Sequence, residues 1–461
     1  MGEPYMNVDD RNIADRRVTV VGLGKSGLAV ARFCRQQGAR VTVTDMAPRD
    51  RFATEAGELE TLGVTLEFGA HRAATFDQAE LVVLSPGVPH TIAPLETARR
   101  RGIPVIGEVE LASRYIQEPI VAVTGTNGKT TTTELLGQML RTSGLDVFVG
   151  GNIGTPLIDY VAQGRRRDWL VIEVSSFQLD TIVGFRPRIG VLLNISADHL
   201  DRYASFEAYA ESKMQLFANQ TASDTAVLNA VDGYGRAAAD RVPGKVLMFN
   251  TGPNGGGSGS ARIAADHISF QLVDRGRHTI DLSGWRLTGN HNRENAAAAG
   301  LAALAAGATP EGLQTAINAF KGLDHRLALV RTLRGVCYYD DSKATNVDAV
   351  GRALEGLAKP VVLIMGGRDK GGGYQDLVRP VRRAVRTLIV MGEAAQTITD
   401  TLGHLVPTVQ AGDMAEAVQL AAARARSGDA VLLSPACASF DMYDSYHQRG
   451  EDFCRHVQQL T

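Results

Sequence analysis

Residues 120–132 read IVAVTGTNGKTTT, an apolar run that empties into a glycine turn and then into Lys129 and a row of threonines. A buried strand that ends in such a loop, with a helix beginning directly after it, commits its surroundings to an α/β arrangement. Backbone N–H groups of the loop and the positive end of the helix converge on one spot, which makes an anion site. Lys129 adds a point charge suited to β- and γ-phosphates, and a threonine hydroxyl, that of Thr130, can bind Mg²⁺. Gly125, Thr126, Asn127, Gly128, Lys129, Thr130 and Thr131 therefore read as a nucleoside-triphosphate loop. Standard eight-residue spacing calls for glycine at 123, where this chain has Val123, so the loop is a shortened variant.

A chain of 461 residues is too long for one ordinary core and implies two to four domains. Hydrophobic content of 44% with 21% charged residues is that of a soluble globular protein. The net charge of −2 favours neither nucleic acid nor an anionic membrane. Cys34, Cys337, Cys437 and Cys454 are scattered without metal-ligand spacing, as expected of reduced thiols. The polar N-terminal stretch lacks an export-type apolar region, and no run approaches the roughly 20 apolar residues of a membrane span. The expectation is a cytoplasmic protein.

Three α/β units follow one another. Residues 1–107 open with VTVVGLGKSG, where Gly22, Gly24 and Gly27 form GxGxxG between a strand and a helix, and a second strand ends at Asp45. This predicts a Rossmann-type sheet whose loop takes a nucleotide diphosphate, either a dinucleotide or the UDP of a UDP-sugar. Residues 108–322 hold the triphosphate loop and form a P-loop ATPase-type unit. There GGNIGTP is a glycine turn, Glu173 ends a strand, and Asp198 and His199 follow another. Ser205 caps a predicted helix containing Lys213, TGPNGGGSGS (251–260) reads as an exposed loop, and GNHNREN opens an alanine-rich helix. Residues 323–461 alternate strands and helices again, a Rossmann-like unit with loops DDSKATN, GGRDKGGGY and SPACASFDMYDSY after apolar strands.

Together GLGKSG, GTNGKTT, GGNIGTP, EVSSFQL, DHLDRY, GNHNREN, DHR, DDSKATN, GGRDK and SPACASFD closely resemble the Mur ligase family over essentially the whole chain. The last loops are much more specific than any glycine turn. The resemblance implies a cytoplasmic, ATP-dependent amide ligase that adds D-glutamate to UDP-N-acetylmuramoyl-L-alanine during peptidoglycan precursor synthesis. The route implied runs through an acyl phosphate and a tetrahedral intermediate, with release of ADP and phosphate. Its partners are these small molecules, and a monomer is expected.

Site roles carry over by the same resemblance. Lys129, Asn152, His199 and Lys213 would be catalytic. Thr130 and Glu173 would hold one Mg²⁺, and His199 a second together with Lys213 in its carbamylated form. Asn292 and Asn295 would read adenine, and Arg326 and Asp341 would reach ATP from the third unit. Gly24, Lys25, Ser26, Asp45, Gly87 and Asn152 would hold the UDP-substrate. Thr345, Lys370, Ser439, Phe440 and Tyr446 would form the amino-acid pocket.

Phe440 stands where the family pattern has leucine, Tyr446 where it has phenylalanine, and Met46 and Ala47 replace polar residues after Asp45. Rival readings are the same chemistry with L-glutamate, another Mur ligase, or a folylpolyglutamate synthetase, which would lack the N-terminal GxGxxG unit. An NAD-dependent oxidoreductase would leave the triphosphate loop without a purpose, and a non-catalytic ligase relative would have no need of Lys129, Glu173, His199 and Lys213 together.

Overall fold

The computed structural model describes residues 11–200, 202–252, 259–369, 371 and 373–461. It is an α/β protein with three separate sheets. The first contains β1 (Arg17–Val21), β2 (Arg40–Asp45), β3 (Thr65–Phe68), β4 (Leu81–Leu84) and β5 (Val105–Gly107) in the order β3-β2-β1-β4-β5. All its neighbours are parallel. The chain reverses direction across the sheet between β1 and β4, so the loops after these two strands open a crevice at their carboxyl ends. Those loops carry Gly22–Gly24 and Ser85–Gly87, tied together by Ser85 Oγ donating to the Gly22 carbonyl at 2.8 Å.

The second sheet runs from β6 (Ile120–Thr124), β7 (Val147–Gly151), β8 (Trp169–Glu173), β9 (Ile189–Leu192), β10 (Thr225–Asn229) and β11 (Lys245–Phe249) to β12 (Ser260–Ile263), β13 (His267–Leu272) and β14 (Gly276–Asp281). Its order is β14-β13-β12-β11-β10-β9-β6-β8-β7. The buried apolar β6 lies between β8 and β9, so the triphosphate loop leaves the middle of a parallel region. The antiparallel ladder β12-β13-β14 is an addition to the sequence reading. Alternate residues of β13 are buried, and its inward Phe270 packs where Gly300 leaves room on the helix Asn290–Ala305. The stretch expected to be a surface loop ends sooner than read: Gly259 and Ser260 are buried and Ser260 opens β12, whereas residues 253–258 lie outside the described residues.

The third sheet has β15 (Ala328–Leu333), β16 (Val336–Asp340), β17 (Val361–Gly366), β18 (Val385–Met391), β19 (Thr408–Gln410) and β20 (Ala430–Leu433) in the order β15-β16-β20-β17-β18-β19. Only β15 runs antiparallel, in a hairpin with β16. Its two-residue turn, Arg334-Gly335, has positive φ at both positions (51° and 79°), the twist that matches a hairpin.

One apolar cluster continues without a break from the first sheet into the central unit, through Val109, Leu111 and Ala112 to Leu157 and Phe185. Two buried carboxylates brace this junction. Glu110 Oε2 accepts from the N–H groups of Val183, Gly184 and Phe185, each at 2.9 Å, and Glu108 Oε1 accepts from Ile158 N–H at 2.7 Å. Among the described residues no helix is long and apolar enough to cross a membrane.

Candidate active site

The triphosphate loop is held from several sides. Gly128 has φ +87° and caps the helix Lys129–Thr142; a Cβ there would lie 2.2 Å from Asn295 Oδ1, so the loop and the helix Asn290–Ala305 pack directly. Lys129 Nζ donates to the carbonyls of Gly125 and Thr126, both at 2.9 Å. Asn194, just past β9, accepts from Asn127 N–H at 2.9 Å and donates to the Asn127 carbonyl at 3.0 Å. Sequence reading had not singled out Asn194; an amide directly after a buried apolar strand was the signal available. The Thr126 hydroxyl accepts from Ser196 N–H at 3.0 Å and meets Tyr209 Oη at 3.0 Å. Thr131 is buried in the first turn of the helix.

At the foot of the loop, Thr130 Oγ1 donates to Glu173 Oε2 at 2.7 Å, and Asn152 Nδ2 donates to Glu173 Oε1 at 2.9 Å. Arg326 reaches in from the third sheet and donates to Thr130 Oγ1 at 2.5 Å. A hydroxyl beside a buried carboxylate suits a small hard cation, which takes oxygen ligands. Among the described residues no group of three or more His, Cys, Asp or Glu is arranged to hold a metal.

Lys213 is buried, 1% exposed. Its Nζ donates to the Gly125 carbonyl at 2.9 Å and sits 4.6 Å from the Tyr209 ring centre. Burial first, and the nearby charge of Lys129 next, hold its pKa well below the usual lysine value. His199, at φ +55°, has its ring 6.4 Å from the same Tyr209 ring, so the two residues flank one aromatic. Asp198 Oδ1 accepts from His199 N–H at 2.9 Å.

Two cavities border this loop and a third lies beyond it. One is lined by Gly128, Thr131, Asn292, Asn295, Arg326 and Asp341. His291, inside GNHNREN, and Arg352, for which the sequence offered no local signal, also line it. Buried Asp341 accepts from Ser434 Oγ at 2.9 Å and Leu327 N–H at 3.1 Å, and burial pushes its carboxyl up to about 7. A wider cleft is lined by Lys25, Ser26, Thr130, Asn152, Arg326 and Tyr446. A smaller cavity is lined by Asp198, His199, Thr345 and Asp369.

The amino-acid residues read from the sequence do not all converge. Tyr446 faces the wide cleft, where the Lys343 ammonium lies 3.7 Å from its ring centre. Thr345 lines the small cavity, Ser439 is buried, and Phe440 is 63% exposed; Lys370 lies outside the described residues. In the first sheet, Asp45 already accepts from Leu23 N–H at 2.7 Å and Ala47 N–H at 2.8 Å, which shapes the glycine loop. Gly24 is different: a Cβ there would meet nothing within 4 Å, so the space above it is open to a ligand. The Gly87 carbonyl accepts from Arg202 Nη1 at 3.2 Å, and Lys25 Nζ donates to the Gly154 carbonyl, so the first unit touches the central one.

Three family models cover most of the chain: "Mur ligase MurD-like, N-terminal domain" over residues 16–107, "Mur ligase middle domain" over 123–303, and "Mur ligase, glutamate ligase domain" over 325–437. The chain belongs to the Mur ligase family. This Mur ligase is 51% identical over 449 residues to the UDP-N-acetylmuramoylalanine–D-glutamate ligase of Desulfatibacillum aliphaticivorans, covering 97% of this chain and 99% of that one. It is 50% identical over 448 residues to the enzyme of the same name from Desulfosudis oleivorans, covering 97% of each. Among solved structures, MurF ligase from Thermotoga maritima in complex with ADP superposes with a TM-score of 0.59 at 18% identity, over 98% of this chain and 96% of that one. The likeness to MurF is one of fold.

Proposed function

We propose that this Mur ligase joins D-glutamate to UDP-N-acetylmuramoyl-L-alanine at the expense of ATP, in the cytoplasmic assembly of the peptidoglycan precursor. The observation that carries this reading is that Arg326 and Lys343 line both the nucleotide cavity and the wide cleft, with Thr130 of the triphosphate loop at the cleft wall. A γ-phosphate on the loop therefore opens toward a carboxylate lying in the cleft. The names of the half-identical relatives support the choice of substrates.

A carboxylate is a poor electrophile, so it needs a leaving group. The carboxylate of the alanyl substrate attacks the γ-phosphorus, the bond to the β-bridging oxygen breaks, and ADP leaves an acyl phosphate behind. The amine of D-glutamate then adds to the acyl carbon, loses a proton, and phosphate departs as the tetrahedral intermediate collapses. Two anions must first approach each other, and Lys129 and Arg326 offset that repulsion with fixed positive charge. Asn152 orients Glu173 and reaches the cleft beside the reacting carboxylate.

Thr130 and Glu173 are the residues that would hold Mg²⁺, which supplies charge neutralisation to the phosphates. His199 and Lys213 would serve a second ion, with Lys213 carbamylated: its neutral amine adds CO₂, releases a proton and becomes an anion. Gly24, Lys25, Ser26 and Gly87 border the crevice for the UDP group. The small cavity at Thr345 and Asp369 would take the amino acid.

Phosphate release from ATP with UDP-N-acetylmuramoyl-L-alanine tests the reading, comparing D-glutamate, L-glutamate and no amino acid. Amide product with D-glutamate alone is expected. Product with L-glutamate alone would overturn the stereochemical assignment, and none with either would overturn the function.

A further inference from the structure

The helix Val347–Gly356 of the third unit begins against the triphosphate loop rather than against solvent. Its cap, Asn346, uses Oδ1 to accept from Ala349 N–H at 2.9 Å, as an ordinary capping amide does. The other half of the same amide crosses to the central unit: Nδ2 donates to Asp198 Oδ2 at 3.0 Å and to Asn127 Oδ1 at 3.2 Å. Two residues on, Asp348 Oδ2 accepts from Asn127 Nδ2 at 2.7 Å and from Ser196 Oγ at 3.2 Å. Arg352, one turn further along, donates to that same oxygen at 2.9 Å and lies 3.6 Å from Glu294 on the helix that carries Asn292 and Asn295.

We infer that Asn346 and Asp348 are positioning residues: they form a latch that seats the third unit only when Asn127 and the Ser196–Asp198 segment are in their working arrangement. The latch grips two things that catalysis needs together, the triphosphate loop and the segment bearing His199. It stands next to Thr345, on the same loop as the proposed amino-acid cavity, and shares a wall with the nucleotide cavity through Arg352. A loop bound to nucleotide would present Asn127 to the latch, and the docked helix would then complete the amino-acid side. The inference rests on the ligase reading for its kinetic test but not for its structural one.

The complementarity is directional, which separates a latch from a simple helix cap. Asn346→Asp retains the cap, because aspartate caps as well as asparagine, yet it replaces a donor facing Asp198 with a second carboxylate. Asp348→Ala removes the acceptor shared by Asn127, Ser196 and Arg352.

The test measures kcat and KM for all three substrates in the full-length protein and both variants. Alongside it come the melting temperature of the free protein and the scattering radius with a non-hydrolysable ATP analogue, alone and together with UDP-N-acetylmuramoyl-L-alanine. Each variant is expected to lose about 10- to 100-fold in kcat/KM for D-glutamate, the range for charge-assisted hydrogen bonds. The KM for the UDP-substrate and the free protein's melting temperature should stay at wild-type values, and compaction on adding ligands should be reduced. Wild-type kinetics and compaction in Asn346→Asp would overturn the latch. So would a loss matched by a lower melting temperature in both variants, because that is what a purely structural cap predicts. A wild-type protein inactive with D-glutamate would instead overturn the ligase reading, and the scattering comparison would still judge the latch.

Discussion

Arg326 Nη2 donates to Thr130 Oγ1 at 2.5 Å, so a guanidinium from the third unit touches the hydroxyl at the foot of the triphosphate loop. The two residues are 196 positions apart in the chain. Arg326 is held by Leu327 and Asp341 around it: Leu327 N–H donates to Asp341 Oδ1, and both residues line the nucleotide cavity beside it. A planar cation that lines both cavities is placed to offset charge on a phosphate that moves between them.

Replacing Arg326 with lysine should therefore fail to restore activity. Arg326→Ala and Arg326→Lys are both expected to lower kcat by about 10²-fold or more, the cost of removing one preorganised donor. ADP formation under saturating substrates is the measurement. Lysine activity within a factor of a few of wild type would mean that charge alone suffices at this position.

Lys129→Ala should abolish turnover, by about 10³-fold or more, because it removes the fixed charge on the β- and γ-phosphates. Circular dichroism and the melting curve should remain close to wild type. Nζ donates to the Gly125 and Thr126 carbonyls of its own loop. Measurable activity in a folded variant would remove the loop from the centre of the mechanism.

Lys213 should carry a carbamate under working conditions. Its amine is buried, and desolvation first and Lys129 next lower its pKa, which favours the neutral form able to add CO₂. Incubation with ¹³C-bicarbonate should give a carbamate carbon resonance in the wild type that is missing in Lys213→Arg, since guanidinium stays protonated. Turnover should fall with it. An unlabelled wild type with full activity would sink the modification.

Glu108 predicts a pH-dependent stability. It is 1% exposed, its Oε2 has no hydrogen-bond partner among the described residues, and burial raises its carboxyl from 4.5 to about 7. A carboxyl raised in the folded state stabilises it fully below the unfolded value of 4.5, and that contribution is lost as pH rises through 7. The difference corresponds to about 3 kcal/mol between pH 4 and pH 8. Glu108→Gln keeps the acceptor for Ile158 N–H without a charge to bury. Its melting temperature relative to wild type should be higher at pH 8 than at pH 5, and a gap independent of pH would refute the assignment.

Much of this architecture is readable in one dimension. Buried parallel strands such as β6 are continuous apolar runs, and each glycine loop follows its strand directly, so strand, turn and helix announce themselves locally. Ser205 acts as the cap its position suggests. The antiparallel edges were harder. β13 alternates polar and apolar residues, but β14 is mostly polar and β15 mixed, and such strands declare themselves only against a neighbour.

The sequence by itself determined the triphosphate loop, the three-unit α/β plan and the residue types available at the site, because each depends on short-range pattern and spacing. Only the tertiary structure decided which of those residues meet. It buried Lys213 under Gly125, brought Arg326 onto Thr130, set Asn346 against Asp198, and separated Tyr446 from Thr345. These are contacts between distant segments whose geometry is set by how three sheets pack together, and no local propensity encodes that packing.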